Sequence, residues 1–473
     1  MKEISKEQGD KEKKGYPFSK WMSLFFLAVS LLMLIYTCYR AEITYQGTMG
    51  EKYFKFYIIS LAGVLFWGVI LRLNEEVRAN IVLASISLVM GLYISEGVLS
   101  IFDTRDGRHQ RLRSLFATLQ GVEFDLRSII QVVTDLRSDG VDAFPTIHGV
   151  NFIGDRKGRG EEGLYPLTGI SNKTTVYNNE NGKHLIYLSD RYGFNNPDAE
   201  WDSPTEWLLT GDSFAQGSAV QPGEDIAGQI RKNTSNSAIS LGVGGNGPLL
   251  ELANLKEYAE PIRPKKVIWL YYEGNDIDLE LPIERENQFY MQYLRDGFSQ
   301  GLIHKQKELD RILEEFAIRK MKSLEEIEKS EAKMLLYQTR WIRLAAIRNM
   351  LGWDVGVVKP RPEVIIDQLF SEILTKAKAR TEAWGGEFYF VYLPEFNRYE
   401  GREVGNRNKA AVIDFVRGLN IPVIDIHQEV FADHPKPRSL FPFGFFGHYN
   451  ADGYSKVAKA IVAGVKKIDS EEK

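Results

Sequence analysis

One serine stands where an apolar run meets a turn, in the segment Trp207-Leu-Leu-Thr-Gly-Asp-Ser-Phe-Ala-Gln-Gly217. The apolar start is typical of a buried strand, Gly211 permits a sharp turn, and a helix can begin at Phe214. Ser213 would then lie at the carboxyl end of a strand, where open α/β sheets bind ligands and helical N–H groups can stabilise an oxyanion. The alternative is that these residues form an ordinary Asp-Ser turn without a catalytic role.

Three later blocks also carry a polar group from a predicted strand or loop. They are Asn236-Ser-Ala-Ile-Ser-Leu-Gly-Val-Gly-Gly-Asn-Gly-Pro248, Lys266-Val-Ile-Trp-Leu-Tyr-Tyr-Glu-Gly-Asn-Asp276 and Gly447-His-Tyr-Asn-Ala-Asp-Gly-Tyr454. The first two read as strands that end in glycine-containing loops, and the third precedes the last helix. An ordinary α/β-hydrolase is disfavoured, because its Gly-x-Ser-x-Gly elbow requires glycine where this chain has Ala215.

The four blocks together resemble the SGNH hydrolases, also called GDSL esterases and lipases, in which Ser, Gly, Asn and His come from separate blocks in this order. The resemblance covers roughly residue 207 to the C-terminus. It implies that Ser213 is the nucleophile and His448 the general base, and that the Gly245 backbone and the Asn275 side chain are oxyanion-hole donors. Acyl transfer requires a group in each of these roles.

The sequence departs from this family beside the histidine. The family usually has an Asp three residues before it, where this chain has Phe445. A catalytic imidazole needs a partner on its second nitrogen to fix its tautomer and orientation. Asp425, at a predicted strand end, is the nearest candidate partner of His448. A backbone carbonyl from residues 441–447 is equally reasonable, and Asp452 is less so because it would cap the following helix.

Predicted strands alternate with helical stretches through this region, which indicates a parallel sheet with crossover helices. The fold class predicted is therefore α/β, a three-layer, flavodoxin-like parallel-sheet hydrolase domain, with strands near 207–211, 236–242, 266–272, 386–393 and 421–426. Residues 242–247 also match the dinucleotide fingerprint Gly-x-Gly-x-x-Gly. Because Pro248 follows at once and no acidic strand end lies about 20 residues on, no cofactor is expected there.

The first 102 residues contain three long apolar runs, at 21–39, 53–73 and 81–102. Each is near the ~20 residues that cross a bilayer as a helix, so residues 21–102 are predicted to be a transmembrane anchor behind a cytoplasmic tail at 1–20. The lysine-rich tail and the three spans place the catalytic domain outside the cytoplasm. Glu96, in the third run, is either a functional intramembrane carboxylate or one that faces a neighbouring helix.

A helical stem is predicted at 103–140, because apolar residues from Leu112 to Leu136 recur in steps of three and four. This seam either forms a homodimeric coiled coil through residues 112–136 or packs on its own domain, and Gly121 interrupts it. Residues 141–206 read as loops and a small hairpin that lead into the sheet. Arg191 or Asn195 in this lead-in either reaches an active-site rim or covers a sheet edge.

The catalytic domain is predicted over 207–473, with a charged helical insertion at 284–378 that serves as a lid, a partner-binding arm or a structural cap. The net charge of −4, from 59 basic and 63 acidic residues, gives no general attraction to nucleic acid. The only cysteine, Cys38, excludes an intramolecular disulfide. The seven histidines lack zinc-type spacing, so no metal site is expected.

The function predicted is that of a membrane-anchored serine esterase or O-acyltransferase acting on ester-linked acyl groups, most plausibly O-acetyl groups of cell-surface or exported glycans. The substrate class follows from the family resemblance and the predicted location. Lipid ester hydrolysis is the alternative within the enzyme class. A catalytically silent glycan-binding or scaffolding module is the alternative outside it, although such a module has no need of all four site residues.

Overall fold

The computed structural model describes residues 17–44, 50–102, 105–153, 163–329, 344–350, 366–399 and 409–471. The chain divides into two compact units. The first comprises residues 1–104 together with 330–358, and the second comprises 105–329 together with 359–473.

The first unit contains helices α1 (Pro17–Cys38), α2 (Gly50–Ile70) and α3 (Glu75–Phe102). Three spans, Phe18–Ile43, Tyr53–Ile70 and Glu75–Val98, are long and apolar enough to cross a membrane. Because only 11% to 22% of each span is buried against protein, most of its apolar surface needs another apolar environment.

Glu96 on α3 faces protein in this unit. Helix α11 (Ala345–Met350) lies against α3, and the backbone N–H of Ile347 donates to the Glu96 carboxylate at 2.9 Å. Glu96 is fully buried. Of the two interpretations of this carboxylate, the structure therefore has the one in which it faces a neighbouring helix.

The second unit is built on a five-stranded parallel sheet in the order β5-β4-β6-β7-β8. The strands are β4 (Trp207–Thr210), β5 (Ala238–Ser240), β6 (Lys266–Tyr272), β7 (Glu387–Leu393) and β8 (Val423–Asp425). Each lies within one of the five predicted strand regions, so the predicted parallel α/β sheet is confirmed.

Helices cover both faces of this sheet, because successive strand residues point to opposite sides. In β6, Val267 and Trp269 pack on one face, while Ile268 and Leu270 pack on the other. The first face is covered by α8 (Pro248–Asn254), α12 (Gln368–Ala383) and α13 (Lys409–Gly418), and the second by α6 (Ser213–Gln216), α7 (Ile226–Thr234) and α14 (Ala451–Glu471). The result is the predicted three-layer arrangement.

A second, smaller sheet precedes the main one. It consists of β1 (Ala143–Pro145), β2 (Thr174–Asn179) and β3 (His184–Leu188). β1 pairs parallel with β2, and β2 and β3 form an antiparallel hairpin. We call residues 174–188 the hairpin; its turn contains Gly182, whose φ of +98° favours glycine.

The stem differs from the single helix predicted across residues 112–136. The structure has two helices here, α4 (Arg105–Leu119) and α5 (Ile129–Ser138). Gly121 has a φ of +71°, which an α-helix does not allow, and Ser128 begins α5 with a capping box. The prediction of one continuous seam was therefore wrong, and a homodimer through residues 112–136 stays a prediction.

The described insertion divides between the two units: α11 belongs to the first, and the part up to residue 329 belongs to the second. After α9 (Leu281–Glu284), helix α10 (Gln306–Lys329) buries Leu309, Ile312 and Leu313 in the main core. This part is a structural cap on the sheet. The rest of the insertion, residues 330–343 and 351–365, lies outside the described residues.

Candidate active site

Ser213 is the first residue of α6, three residues after β4 ends. β4 lies between β5 and β6, so the loops that follow those two strands flank the serine. The Asp212 carboxylate caps α6 by accepting the Phe214 N–H at 2.8 Å. Ser213 is 9% exposed.

His448 comes from the loop before α14 and meets the serine. Its Nε2 lies 2.7 Å from the Ser213 Oγ. Its ring packs on the Phe214 ring, with centroids 4.6 Å apart. The structure therefore joins two blocks that stand 235 residues apart in the sequence.

Glu180, in the turn of the hairpin, lies on the other side of the imidazole. Its Oε1 is 3.1 Å from the His448 Nδ1, and its Oε2 accepts the His448 backbone N–H at 2.8 Å. Nδ1 lacks a partner with good hydrogen-bond geometry among the described residues, and its contact with Oε1 is an ion pair when the imidazole is protonated. Only 8% of the Glu180 side chain is exposed, which strengthens that attraction.

Arg113 from α4 completes this chain of contacts. Its Nη2 lies 3.3 Å from the Glu180 Oε1 and donates to the Phe446 carbonyl at 2.9 Å. A Cβ at Gly447 would lie 2.4 Å from the Glu180 Oε2 and 2.9 Å from the Arg113 Nη2. Glycine is therefore needed at this position for the carboxylate and the guanidinium to approach the histidine loop.

The charge of Glu180 is fixed by these neighbours. Burial alone would raise the pKa of its carboxyl group, but the positive charges of His448 and Arg113 and the backbone hydrogen bond outweigh burial. The pKa falls to about 2. Both neighbours therefore favour the ionised form of Glu180.

Asp425, the predicted nearest partner of His448, is engaged elsewhere. Its carboxylate pairs with Lys409 and accepts the Gln428 N–H at 3.3 Å. The reason is topological: β8 lies at the sheet edge, and β6 and β7 separate it from β4. Within the described chain, Glu180 and not Asp425 is the carboxylate beside Nδ1.

The two other candidate partners of His448 are also engaged elsewhere. Asp452 pairs with Lys456 in the first turn of α14. In the 441–447 loop, the Phe446 carbonyl accepts from Arg113.

The predicted oxyanion-hole residues follow the two strands that flank β4. In the loop after β5, every N–H of residues 242–247 except that of Gly245 has an acceptor among the described residues. Gly245 has a φ of +75°, which suits glycine. After β6, the Asn275 Nδ2 donates to the Glu280 Oε1 at 2.7 Å. Among the described residues of this loop, the Gly245 N–H is thus the backbone donor without an acceptor. The Asn275 amide is hydrogen-bonded to the Glu280 carboxylate.

The arrangement suits general-base catalysis by a histidine. A carboxylate beside Nδ1 favours the tautomer that carries its proton there, which leaves Nε2 to accept from the Ser213 hydroxyl. When Nε2 takes that proton, Glu180 stabilises the imidazolium. Ser213, His448 and Glu180 therefore have the relative positions of a nucleophile, a base and a carboxylate that orients the base.

The two rim candidates have structural roles. Arg191 pairs with Asp198 and Asp202 on the surface. Asn195 is buried, and its Nδ2 donates to the Gln216 carbonyl at 2.9 Å, which supports the end of α6.

Sequence reasoning missed Glu180 and Arg113. The only local signal for Glu180 is its place in Asn178-Asn-Glu-Asn-Gly182, whose Asn-Gly step is typical of a hairpin turn. Such a turn predicts the hairpin but not what its tip contacts. Arg113 carries no motif, and only its position in a helix just beyond the apolar runs distinguishes it.

Comparisons with known proteins give the following matches. No family model matches the chain, and no curated protein matches it. Similar solved structures include a protein assigned to the G-D-S-L lipolytic family from Desulfitobacterium hafniense DCB-2, at 9% identity over 55% of this chain and 99% of that one, with a TM-score of 0.31.

Two structures of a two-domain esterase active on acetylated mannans are also similar. One, crystallised with mannopentaose, has 14% identity over 56% of this chain and 49% of that one, with a TM-score of 0.28. The other has 16% identity over 56% of this chain and 48% of that one, with a TM-score of 0.27. This chain thus spans about half of the two-domain esterase. Similarity at this level carries no weight for function, which is inferred from the residues of the site.

Proposed function

We propose that this protein is a membrane-anchored serine esterase or O-acyltransferase that works through an acyl-enzyme. The observation that carries the proposal is the series Ser213, His448 and Glu180, with 2.7 Å between Oγ and Nε2 and 3.1 Å between Nδ1 and Oε1. A binding or scaffolding module has no use for a serine held against a histidine that is itself held by a carboxylate.

The reaction follows from these positions. The Ser213 Oγ attacks the ester carbonyl while its proton passes to the His448 Nε2, and the oxyanion forms beside the Gly245 N–H and the Asn275 amide. The C–O bond to the leaving alcohol then breaks, and Nε2 returns its proton to that oxygen. Water or an acceptor hydroxyl then attacks the acyl-serine by the same steps, which gives hydrolysis or transfer.

The substrate class proposed is an ester-linked acyl group, most plausibly an O-acetyl group, on cell-surface or exported glycans. It rests on the resemblance to SGNH hydrolases and on the three apolar spans, which support residence in a membrane. The same spans favour lipid esters as a second candidate substrate, because a membrane-resident enzyme meets them at high local concentration.

The test is labelling of the full chain in detergent with a serine-directed fluorophosphonate, followed by assays on acetylated glycans and on lipid esters. We expect one label per chain, no label in Ser213→Ala, and release of acetate from a glycan. Turnover of lipid esters alone would favour the second candidate. Undiminished labelling and turnover in Ser213→Ala would contradict the mechanism.

The topology proposed has the N-terminus in the cytoplasm and the catalytic domain outside it. Lysines before the first span and the odd number of spans support it. Protease added to spheroplasts should then cleave beyond residue 102 and leave an N-terminal tag intact. Cleavage of the tag with protection of the catalytic domain would show the opposite orientation.

A further inference from the structure

Three carboxyl groups converge next to the turn that carries the nucleophile. They belong to Asp212, Asp276 and Glu280, and one oxygen from each lies within 4.8 Å of the others. All three residues are buried, with exposures of 1%, 0% and 7%. Like charges this close, and away from water, repel strongly unless something neutralises them.

Glu251 on α8 is a fourth carboxyl group that independently indicates a ligand. It is fully buried, and neither of its oxygens has a hydrogen-bond partner among the described residues. Its carboxyl group is close enough to those of Asp276 and Asp212 for their charges to raise its pKa, in addition to the larger effect of burial. The Asp276 Oδ1 and the Glu280 Oε2 also lack hydrogen-bond partners in the described part of the chain.

Other buried glutamates of this protein are satisfied. Glu257 is 1% exposed, and its oxygens accept from two side-chain hydroxyls and two backbone N–H groups. Glu284 accepts the N–H groups of Gly247 and Leu249. By contrast, none of the four converging carboxyl groups forms an ion pair with a described lysine, arginine or histidine. Among the described residues, the buried carboxylate oxygens that lack a hydrogen-bond partner are thus those of Glu251, Asp276 and Glu280.

We propose that Asp212, Asp276 and Glu280 bind a divalent cation beside the unpartnered Glu251 carboxylate, and Ca²⁺ is the best fit. Ca²⁺ takes only oxygen ligands, at about 2.3–2.6 Å and in flexible geometry, so oxygens on opposite sides of the ion lie up to about 5 Å apart. Mg²⁺ is usually held by one or two carboxylates and several waters, which fits three clustered carboxylates less well. Zn²⁺ is disfavoured because the cluster offers neither imidazole nor thiolate. The proposal does not depend on the reaction proposed above, since neither Ser213 nor His448 is a ligand.

The cation would act on the site through two of its ligands. Asp212 precedes the nucleophile and caps its helix, and Glu280 accepts from the Asn275 amide. A cation bound to both carboxylates would fix the serine turn and the amide donor relative to each other. These two carboxylates are therefore positioning residues.

The test measures metal content and thermal stability of the full chain in detergent. We expect about one equivalent of Ca²⁺ by elemental analysis and a Tm several degrees higher in Ca²⁺ than in chelator, because a ligand that binds only the folded state stabilises it. Ser213→Ala should keep both properties, which separates this result from the test of the nucleophile. Failure of labelling with Ca²⁺ binding intact would reject the reaction alone.

Two variants and a matched control localise the ion. Glu251→Gln and Asp276→Asn should lose most of the Ca²⁺-dependent rise in Tm, and Glu251→Gln should melt no lower than wild type in chelator because it removes one repelling charge. Glu257→Gln, a buried glutamate outside the cluster, should keep the full rise. The proposal is overturned if the protein binds no divalent cation, if both cluster variants keep the rise, or if only lowering the pH raises the Tm, since protons would then neutralise the cluster.

Discussion

The two sheets of the catalytic unit contribute to the site in different ways. Loops of the five-stranded sheet carry Ser213, Gly245 and Asn275, and the three-stranded sheet carries Glu180 at the tip of the hairpin. Carboxyl ends of neighbouring parallel strands lie together whatever the side chains are, so residues placed there meet by topology. Glu180 meets His448 only because one sheet docks against the other. The first kind of residue is visible in a single sequence, and the second kind is not.

The docking of the hairpin is specific. The Ser218 Oγ donates to the Asn178 Oδ1 at 3.1 Å, and the Gln221 Nε2 donates to the His184 carbonyl at 3.2 Å. Asn181, next to Glu180, donates to the Ala219 carbonyl. The hairpin is thus fixed to the residues that follow the nucleophile's helix, so Glu180 and Ser213 hold the imidazole from opposite sides.

We expect the largest loss of kcat/KM when the nucleophile or the base is removed. Ser213→Ala and His448→Ala should each lower kcat/KM by roughly 10⁴-fold or more, because each removes a group that exchanges the reacting proton. Thermal melts should show both variants folded, and Ser213→Ala should also lose fluorophosphonate labelling. Retention of activity in His448→Ala would reject the base assignment.

The comparison between the sheets is tested most directly by Glu180→Gln. This change keeps the size of the side chain but removes the charge that stabilises the imidazolium, so kcat should fall by roughly 10²- to 10⁴-fold with a smaller change in KM. Steady-state kinetics on an activated acetate ester measures both constants.

Asp425→Asn is the matched control, because it neutralises the carboxylate first predicted from the sequence. Asp425 pairs with Lys409 at the sheet edge, so its loss should change kcat by less than about threefold. If Asp425→Asn is as damaging as His448→Ala in a folded protein, the hairpin is not the source of the orienting carboxylate.

The main sheet could be predicted because its residues obey local rules. Apolar runs such as Lys266–Tyr272 are buried on both sides, and each ends in glycine or polar residues, so strand positions and their parallel order follow from the sequence. Ser213 and His448 could be predicted as a pair because their blocks have a family pattern. Their contact at 2.7 Å is a structural finding.

Other features depend on contacts that no local pattern encodes. The apolar residues of the stem at 112–136 have helical spacing throughout. Gly121 nevertheless adopts a left-handed conformation, and α5 packs Val132 and Val133 on β1 and β2. The acidic cluster is equally hidden, because a search for His and Cys spacing does not detect four carboxylates from three separate segments. In each case tertiary packing, and not propensity, decides the outcome.

Asn275→Ala tests the second residue supplied by the main sheet. Loss of one oxyanion donor costs roughly 10²- to 10³-fold in kcat, so turnover should fall by at least a hundredfold while fluorophosphonate labelling persists at a lower rate. Asn287→Ala, which changes a buried asparagine whose Oδ1 accepts the Phe289 N–H at 2.9 Å, serves as the control for a lost buried amide. A fall in kcat below tenfold for Asn275→Ala would assign the oxyanion to backbone donors alone.

Arg113→Lys tests how far the hairpin depends on α4. Lysine keeps the positive charge but lacks the planar guanidinium whose Nη2 contacts both Glu180 and the Phe446 carbonyl. We expect kcat to fall by about three- to tenfold in Arg113→Lys and by more in Arg113→Ala. Arg127→Lys, at a surface pair with Asp125 and Asp135, should have no effect. Equal activity of Arg113→Ala and wild type would show that Glu180 orients the histidine without help from α4.

The smallest expected effect is on the pH dependence of stability. The pKa of Glu180 is about 2 in the folded protein, below its ordinary value of 4.5. A group with a lowered folded-state pKa stabilises the protein above its unfolded pKa, and that contribution is lost as the pH falls through the folded value. The Tm of wild type minus that of Glu180→Gln should therefore shrink as the pH falls between about pH 4.5 and 2. A difference that does not change with pH would mean that Glu180 is not held as a carboxylate by His448 and Arg113, and the electrostatic account of the hairpin's contribution would fail.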